Sequence, residues 1–501
     1  MASNESQLGV ADAGAHETLE AEYGLASSDS DGMHEQVEVF FSSNDAQRRR
    51  ASIVPDAKSR RLSSKRKKTG CFVHAMLEGK VLDGQSTSNQ EGLAQEQLAD
   101  KPPPTPPHGA DGHRQSRLLT KQQLSDMAVG IRELSKKLGH LRVKLKIQNV
   151  FILTKAHDQT LVAKTRDVTE WLLQSKNPDG ALYTVWVEQT MENSKTFDTE
   201  SIIAKDPSYK DRLKYWTNEL CAKRPHTFEI CIALGGDGTV LYASWLFQRV
   251  VPPVMSFALG SLGFLTKFDF GKYPDILTSA FNDGVTVSLR LRFEGTIMRS
   301  QRRVDEEEQR SRDLVEELIG DLADDASSHR PDGVHNILND IVLDRGPNPT
   351  MSSIEMFGDN DHFTSVQGDG ICVATPTGST AYNLAAGGSL CHPENPVMLV
   401  TAISPHTLSF RPVILPDTIV LRLGVPYDAR ASCWASFDGK ERSELQPGDY
   451  VTISASRFPF PSVLPLDRRS EDWVDSISRT LNWNNRQRQK AFDDCPKNGA
   501  K

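Results

Sequence analysis

Cysteine is sparse and unpatterned here. The seven residues, Cys71, Cys221, Cys231, Cys372, Cys391, Cys433 and Cys495, are scattered, odd in number and form no CxxC pair. That usage fits a reducing compartment and argues against both a disulfide framework and a zinc site. No apolar stretch approaches the ~20 residues that span a bilayer. The first 47 residues hold no Lys or Arg but many acids, and no secretory pattern is present, so the chain is expected to be cytoplasmic. Hydrophobic residues make up only 38% of the 501, low for a fully globular chain, so a large part is expected not to fold. A net charge of −8 argues against a general nucleic-acid binder.

What is present falls into zones. Residues 1–115 are rich in Ser, Gln, Glu and Gly, lack apolar periodicity and end in the proline cluster Pro102–Pro107, the composition of a disordered tail. Within it, 48–68 is a basic run containing RRRAS, KSRRLSS and KRKK. It reads as a regulatory segment for a protein kinase acting on Ser52 or Ser63, as a nuclear import signal, or as a solvated basic stretch. From Leu118 to Leu145 apolar residues recur at three- and four-residue spacing, which predicts a lead-in helix within 116–147.

The folded core then alternates. Strands are predicted at Asn149–Thr154, Leu182–Val187, Thr227–Leu234 and Val254–Leu259, with helices at Asp167–Leu173, Tyr209–Leu220 and Val240–Val250. Strands separated by helices imply an α/β fold with a doubly wound parallel sheet over 148–284. From Val285 strands crowd together and Asp-Gly turn signals recur, so 285–456 is expected to be a β-rich domain, interrupted by a mobile charged insertion at 299–333. In the tail, 457–501, Trp473, Ile477 and Leu481 stand at helical spacing, which predicts packing back on the core.

The sharpest local signal is Ile232–Leu241, IALGGDGTVL. An apolar strand runs into Gly235–Thr239, and a helix follows. Glycines such as Gly236 and Gly238 let backbone N–H groups approach an anionic oxygen, and the helix N-terminus adds positive potential. Asp237 would repel phosphate unless it takes a proton from an attacking hydroxyl or helps hold the metal that neutralises the phosphates. The structural alternative is a tight turn with an Asp cap. No Gly-Lys-Ser/Thr follows, so this is not a P-loop, and it is not a GxGxxG fingerprint.

Three later segments add to it. Gly260–Leu265 reads GSLGFL, and Asn339-Asp340 sits inside HNILNDIVLDRG. An amide beside a carboxylate at a strand end can read an adenine edge and ribose hydroxyls together, although such a pair is more often a turn. Gly368–Gly388, GDGICVATPTGSTAYNLAAGG, offers Thr375, Thr377, Ser379 and Thr380 at a helix start, with Tyr382 adding an aromatic face.

GGDGT after a strand resembles the superfamily that joins NAD kinases, 6-phosphofructokinases and lipid kinases. The LGFL segment, the Asn-Asp pair, TPTGSTAY, Pro405–Pro412 and Ser436–Lys440 then resemble, in order, the ATP-dependent NAD kinase family, with the tail most similar to eukaryotic, fungal-like members. The resemblance spans roughly Asn149–Ser456. It implies transfer of the γ-phosphoryl of ATP to the 2′-hydroxyl of the adenosine ribose of NAD or NADH, giving NADP or NADPH. It further implies Asp237 as the proton acceptor, with Gly236 and Gly238 keeping the loop slim. Asn339 and Asp340 would hold the adenosine half, with Asp369 supporting them. Thr377, Thr380, Ala381 and Tyr382 would line the nicotinamide side. Mg²⁺ would ride on the nucleotide phosphates with no protein cage, and a homo-oligomer is expected. Ala385 stands where bacterial members often carry Ser, so that contact is not transferred, and His406, Arg411 and Tyr242 are given no role. Two rivals remain at this level: a lipid kinase, which would need a membrane-docking surface, and a catalytically silent NAD(H)-binding module.

Overall fold

The computed structural model describes residues 18–21, 37–40, 115–260, 262–301, 312–319, 328–465 and 471–481. The basic run 48–68 and the proline cluster lie outside the described residues. In the segment read as disordered, Thr18–Ala21 and Val37–Phe40 pair antiparallel, and Val37–Phe40 also pairs with Arg142–Lys144. The alternation in VEVF suits a short strand, which the composition of the whole tail hid.

The lead-in helix is Lys121–Leu138, shorter than the periodicity suggested. Thr120 and Gln123 close a capping box at its start. It ends at Gly139, after which Arg142–Lys144 is extended. Its buried stripe is Leu124, Ala128, Leu134 and Leu138, and Arg132 reaches Asp417 of the second domain with both bonds under 3 Å.

The first sheet has the strand order Thr286–Arg290, Phe460–Leu464, Val254–Ala258, Ile230–Gly235, Asn149–Leu153, Thr184–Glu188 and Leu213–Trp216. The five strands from Val254–Ala258 to Leu213–Trp216 are parallel. Their residues alternate between two apolar layers, with Ile152, Ile232 and Leu234 on one face and Phe151, Leu153, Cys231 and Ala233 on the other. A parallel sheet covered on both faces requires near-continuous apolar strands, and NVFIL and ICIALG supply them.

Three details differ from the sequence reading. Tyr209–Leu220 is not one helix: Leu213–Trp216 is an edge strand between two helical turns, with Leu213 and Trp216 buried. Here the sheet edge overrides local pattern. The helix Tyr273–Asp283 was not foreseen. Thr286–Arg290 belongs to the first sheet, antiparallel to Phe460–Leu464, and not to the β-rich unit. The tail therefore packs back as a strand first. The later helix Glu471–Leu481 follows, with the Trp473 ring 5.2 Å from that of His392.

The β-rich unit is two six-stranded sheets, each antiparallel throughout. Their shared core includes Phe293, Ile341, Leu343, Met356, Ile371, Val373 and Phe437. At Gly295 a Cβ would come within 2.7 Å of Ile341 Cδ1, so the sheets meet closely there. The insertion expected to be mobile at 299–333 is partly docked. Arg299, Ser300 and His329–Gly333 belong to paired strands. Leu314–Leu318 is a helical turn whose two leucines bury against Met298, Phe357 and Tyr450. Arg312 grips Glu317 through two hydrogen bonds beside Tyr427. Two leucines four residues apart suffice to anchor an otherwise charged stretch.

The chain crosses from the first sheet to the second domain at Leu291–Arg292 and returns at 456–459. Arg292 is fully buried at this crossing. Its Nε donates to Phe458 O (2.6 Å), Nη1 to Phe247 O (3.0 Å) and Ser244 O (3.3 Å), and Nη2 to Gln248 O (3.0 Å) and Arg249 O (3.3 Å). Burial pulls its pKa down to about 9, opposed by the charge of Asp438, so the guanidinium stays charged at neutral pH. Ser244 O lies in the last turn of the helix Asp237–Leu246, Phe247 O at its C-cap, and Gln248 O and Arg249 O just beyond, where a cation complements the negative helix end. Arg292→Met strips those carbonyls of their donors, and we expect a loss of about 3–5 kcal/mol, read as a lower thermal midpoint. A midpoint within about a degree of the parent would contradict this role.

Candidate active site

The parallel sheet reverses its winding between Asn149–Leu153 and Ile230–Gly235. Open α/β sheets bind ligands outside the C-terminal strand ends at such a switch point, and Gly235–Thr239 occupies it. Gly235 has φ +152°, and a Cβ there would stand 2.4 Å from Thr239 Oγ1, so the protein's own packing demands glycine. Gly236 and Gly238 differ. Neither has positive φ, and a Cβ on either meets nothing within 4 Å. Gly236 is also the N-cap of Asp237–Leu246 and supplies no capping side chain, so no N-cap side chain covers the first-turn amides.

Asp237 is engaged. Its Oδ2 accepts from Phe264 N–H (2.9 Å), and its Oδ1 from Leu265 N–H (2.9 Å), Thr266 N–H (3.1 Å) and the Thr266 hydroxyl (3.4 Å). A Cβ on Gly263 would lie 2.2 Å from Oδ1. The carboxylate thus fixes the turn after Val254–Ala258, and one acceptor position on Oδ2 is left over. Sequence reasoning paired these two segments only by resemblance.

Asn339 and Asp340 come together with the Thr-rich turn. Thr375 donates its hydroxyl to Leu338 O (2.5 Å) and its N–H to Asn339 O (2.8 Å). A Cβ on Gly378 would fall 2.1 Å from Asn339 O, so the turn Thr377–Thr380 lies directly on this backbone. Leu338 packs in the same apolar cluster as Val240, Ala243 and Leu246 of the glycine-loop helix. Among the described residues, the Asn339 and Asp340 side chains have no hydrogen-bond partner. Asp340 is only 7% exposed. Burial first, and the charge of Asp438 second, push its carboxyl up to about 7.

The other candidates sit around this pair. Thr377 is buried and accepts from Arg290 Nη1 at 3.4 Å. Thr380 bonds Thr377 O, and Ala381 joins the turn to the short helix Tyr382–Ala385. Tyr382 is 45% exposed. Its hydroxyl is pushed up by partial burial and then by the charges of Asp344, Asp340 and Asp369, with the Cys372 thiol contributing. Asp369 stands at the rim, its Oδ1 2.9 Å from Arg345 Nε with both side chains partly exposed. Arg411 donates to carbonyls of its own loop. Tyr242, given no role, meets Lys440 across the domains at 5.2 Å. The sequence reading missed Arg292, and took Asp438 as part of a turn signal and of the family-like segment Ser436–Lys440 without giving it a role.

Both domains are similar to known proteins. Residues 150–285 match the family model of the ATP-NAD kinase N-terminal domain, and 338–464 that of the ATP-NAD kinase C-terminal domain. A Saccharomyces cerevisiae NAD(+) kinase is 43% identical over 374 residues, covering 74% of this chain and 67% of that protein. An ATP-NADH kinase of the same yeast is 40% identical over 381 residues, covering 75% and 72%. The solved structure of a yeast NADH kinase complexed with NADH superposes with TM-score 0.54 at 27% identity, covering 70% of this chain and 92% of that one. The paired segments of the glycine loop, the Asn-Asp strand start and the Thr-rich turn therefore lie within matched domains, and the chain belongs to the ATP-NAD kinase family.

Proposed function

We propose that the chain transfers the γ-phosphoryl of ATP to the 2′-hydroxyl of the adenosine ribose of NAD or NADH. The observation that carries this reading is Leu338–Asp340: its backbone is bonded within the protein while the Asn339 and Asp340 side chains are left without partners. Asp340 is buried and Asn339 half-buried, and a buried carboxylate without a partner is rare unless a ligand supplies one. An amide and a carboxylate side by side suit an adenine edge and ribose hydroxyls.

In this reading the amides at Gly236–Gly238 meet the phosphates, and the open position on Asp237 Oδ2 takes the 2′-hydroxyl proton. Thr377, Thr380, Ala381 and Tyr382 line the remainder of the dinucleotide, with Asp369 at the rim. When bound with ATP, Mg²⁺ would supply charge neutralisation on the nucleotide phosphates. Among the described residues no group of three or more His, Cys, Asp or Glu is gathered. Positioning and charge stabilisation supply most of the acceleration.

Incubation of the purified chain with Mg²⁺-ATP and either NAD or NADH should yield NADP or NADPH. Tight dinucleotide binding with no product would establish the silent module, and phosphorylation of lipid alone would establish the lipid kinase. In the same assay Asp237→Asn should lower turnover on the order of 10² or more while the dinucleotide still binds; near-normal turnover sinks its proton-acceptor role. Gly238→Ala should keep or raise thermal stability, because the added methyl meets nothing, yet weaken use of ATP. Unchanged kinetics would mean that no ligand approaches that atom.

Asp340 predicts a trade between stability and binding. Its ordinary value of 3.8 rises to about 7 on folding. The folded protein therefore holds a proton that the unfolded chain has lost. The resulting stability is full below about pH 4 and lost as pH rises through about 7. Asp340→Asn should make the ligand-free protein more stable at pH 8, by at most about 4 kcal/mol, with the gain shrinking toward pH 5. The same variant should bind NAD about tenfold or more weakly. A variant less stable than the parent at pH 8 would contradict the buried-carboxylate assignment.

A further inference from the structure

We propose that Asp438 is the positioning residue that presents Asn339 and Asp340 to the dinucleotide, acting through their backbone and not by touching substrate. The inference rests on the adenosine-reading role given to those two side chains. Asp438 lies at the tip of the hairpin between Cys433–Phe437 and Glu441–Leu445. Its φ is +50°, and Gly439 follows at +63°. Asp and Asn tolerate this left-handed geometry better than other side chains, and Gly adopts it freely.

That conformation folds the Asp438 carboxylate back over the start of the neighbouring strand. Oδ2 accepts from Leu338 N–H at 2.8 Å, and Oδ1 from Asn339 N–H at 2.7 Å and Asp340 N–H at 3.1 Å. The N–H of Asp438 itself donates to Asp340 O at 3.0 Å. On the other side Thr375 takes the carbonyls of Leu338 and Asn339. All six backbone polar groups of Leu338–Asp340 are thereby satisfied within the protein. The tripeptide cannot rotate to bond its own side chains without breaking this set, so the amide of Asn339 and the carboxylate of Asp340 stay directed away from the backbone. Three converging N–H donors on one carboxylate also make the cradle costly to leave.

Charge couples the two acids as well. Arg292, Leu338, Asn339 and Asp340 all act on Asp438: burial raises its carboxyl, while the three backbone N–H groups and the Arg292 guanidinium oppose that rise. Asp340 in turn feels Asp438, and it faces Cys372 from the adjacent strand and Tyr382 from the short helix. Removing the Asp438 charge therefore makes Asp340 easier to ionise.

The test uses the full chain and the Asp438→Asn variant, which keeps one acceptor oxygen but no charge. KM for NAD should rise about tenfold or more while KM for ATP stays within about twofold. The acid limb of kcat/KM for NAD, followed from about pH 5.5 to about pH 9, should move to lower pH. Equal rises in both KM values with an unmoved limb would reduce Asp438 to a structural residue and overturn the proposal. A second measurement needs no variant. Hydrogen exchange in the ligand-free parent should show the Leu338–Asp340 amides protected, and rapid exchange there would equally overturn it. Protected amides with no NADP formation would instead locate the failure in the proposed reaction, leaving the cradle intact.

Discussion

A charged guanidinium with no exposed surface is expensive, and the chain places one where its two domains interleave. Arg292 sits where the backbone leaves the first sheet, and Ser456 N–H bonds its carbonyl where the backbone returns. Burying that charge is tolerable only if several acceptors surround it. They come from Phe458 just before the returning strand and from Ser244, Phe247 and Gln248 at the C-terminal end of the helix that begins at Asp237. The same helix presents Gly236 and Gly238 at its other end and packs through Val240 and Leu246 on Leu338. One buried cation thus fixes the relation between the glycine loop of one domain and the Asn-Asp pair of the other.

Around that anchor the site is built by exhausting backbone hydrogen bonds. Asp237 consumes three N–H groups of Phe264–Thr266, and Asp438 consumes three of Leu338–Asp340. In each case a carboxylate locks a short segment that is irregular or only just entering a strand. The side chains left unpaired and the glycines left uncrowded mark where the proposed ligand would complete the set.

The parallel sheet was legible because strands buried on both faces must be apolar throughout, as NVFIL and ICIALG are. Leu213–Trp216 was not, since an edge strand of four residues carries too little pattern to outweigh the helical spacing around it. The return of Phe460–Leu464 to the first sheet depends on contacts with residues 170 and more positions earlier in the chain, which no local window records. Asp237, Asn339, Asp340 and Thr377 could be named from their motifs. The grip of Asp237 on Phe264–Thr266 could not, because the bonds run to backbone amides and leave no signature in residue type. Asp438 was visible as half of a turn signal and inside the family-like segment Ser436–Lys440, but its role was not, and its left-handed φ gives the turn signal its meaning.

The most direct measurement of this account is an experimental structure of the chain with NAD bound. The account predicts the adenosine ribose and base against the Asn339 amide and the Asp340 carboxylate, with the 2′-hydroxyl turned toward Asp237 and the bonds from Leu338–Asp340 to Asp438 intact. A dinucleotide seated elsewhere, or one bound with the Asn339 and Asp340 side chains still unpaired, would contradict it.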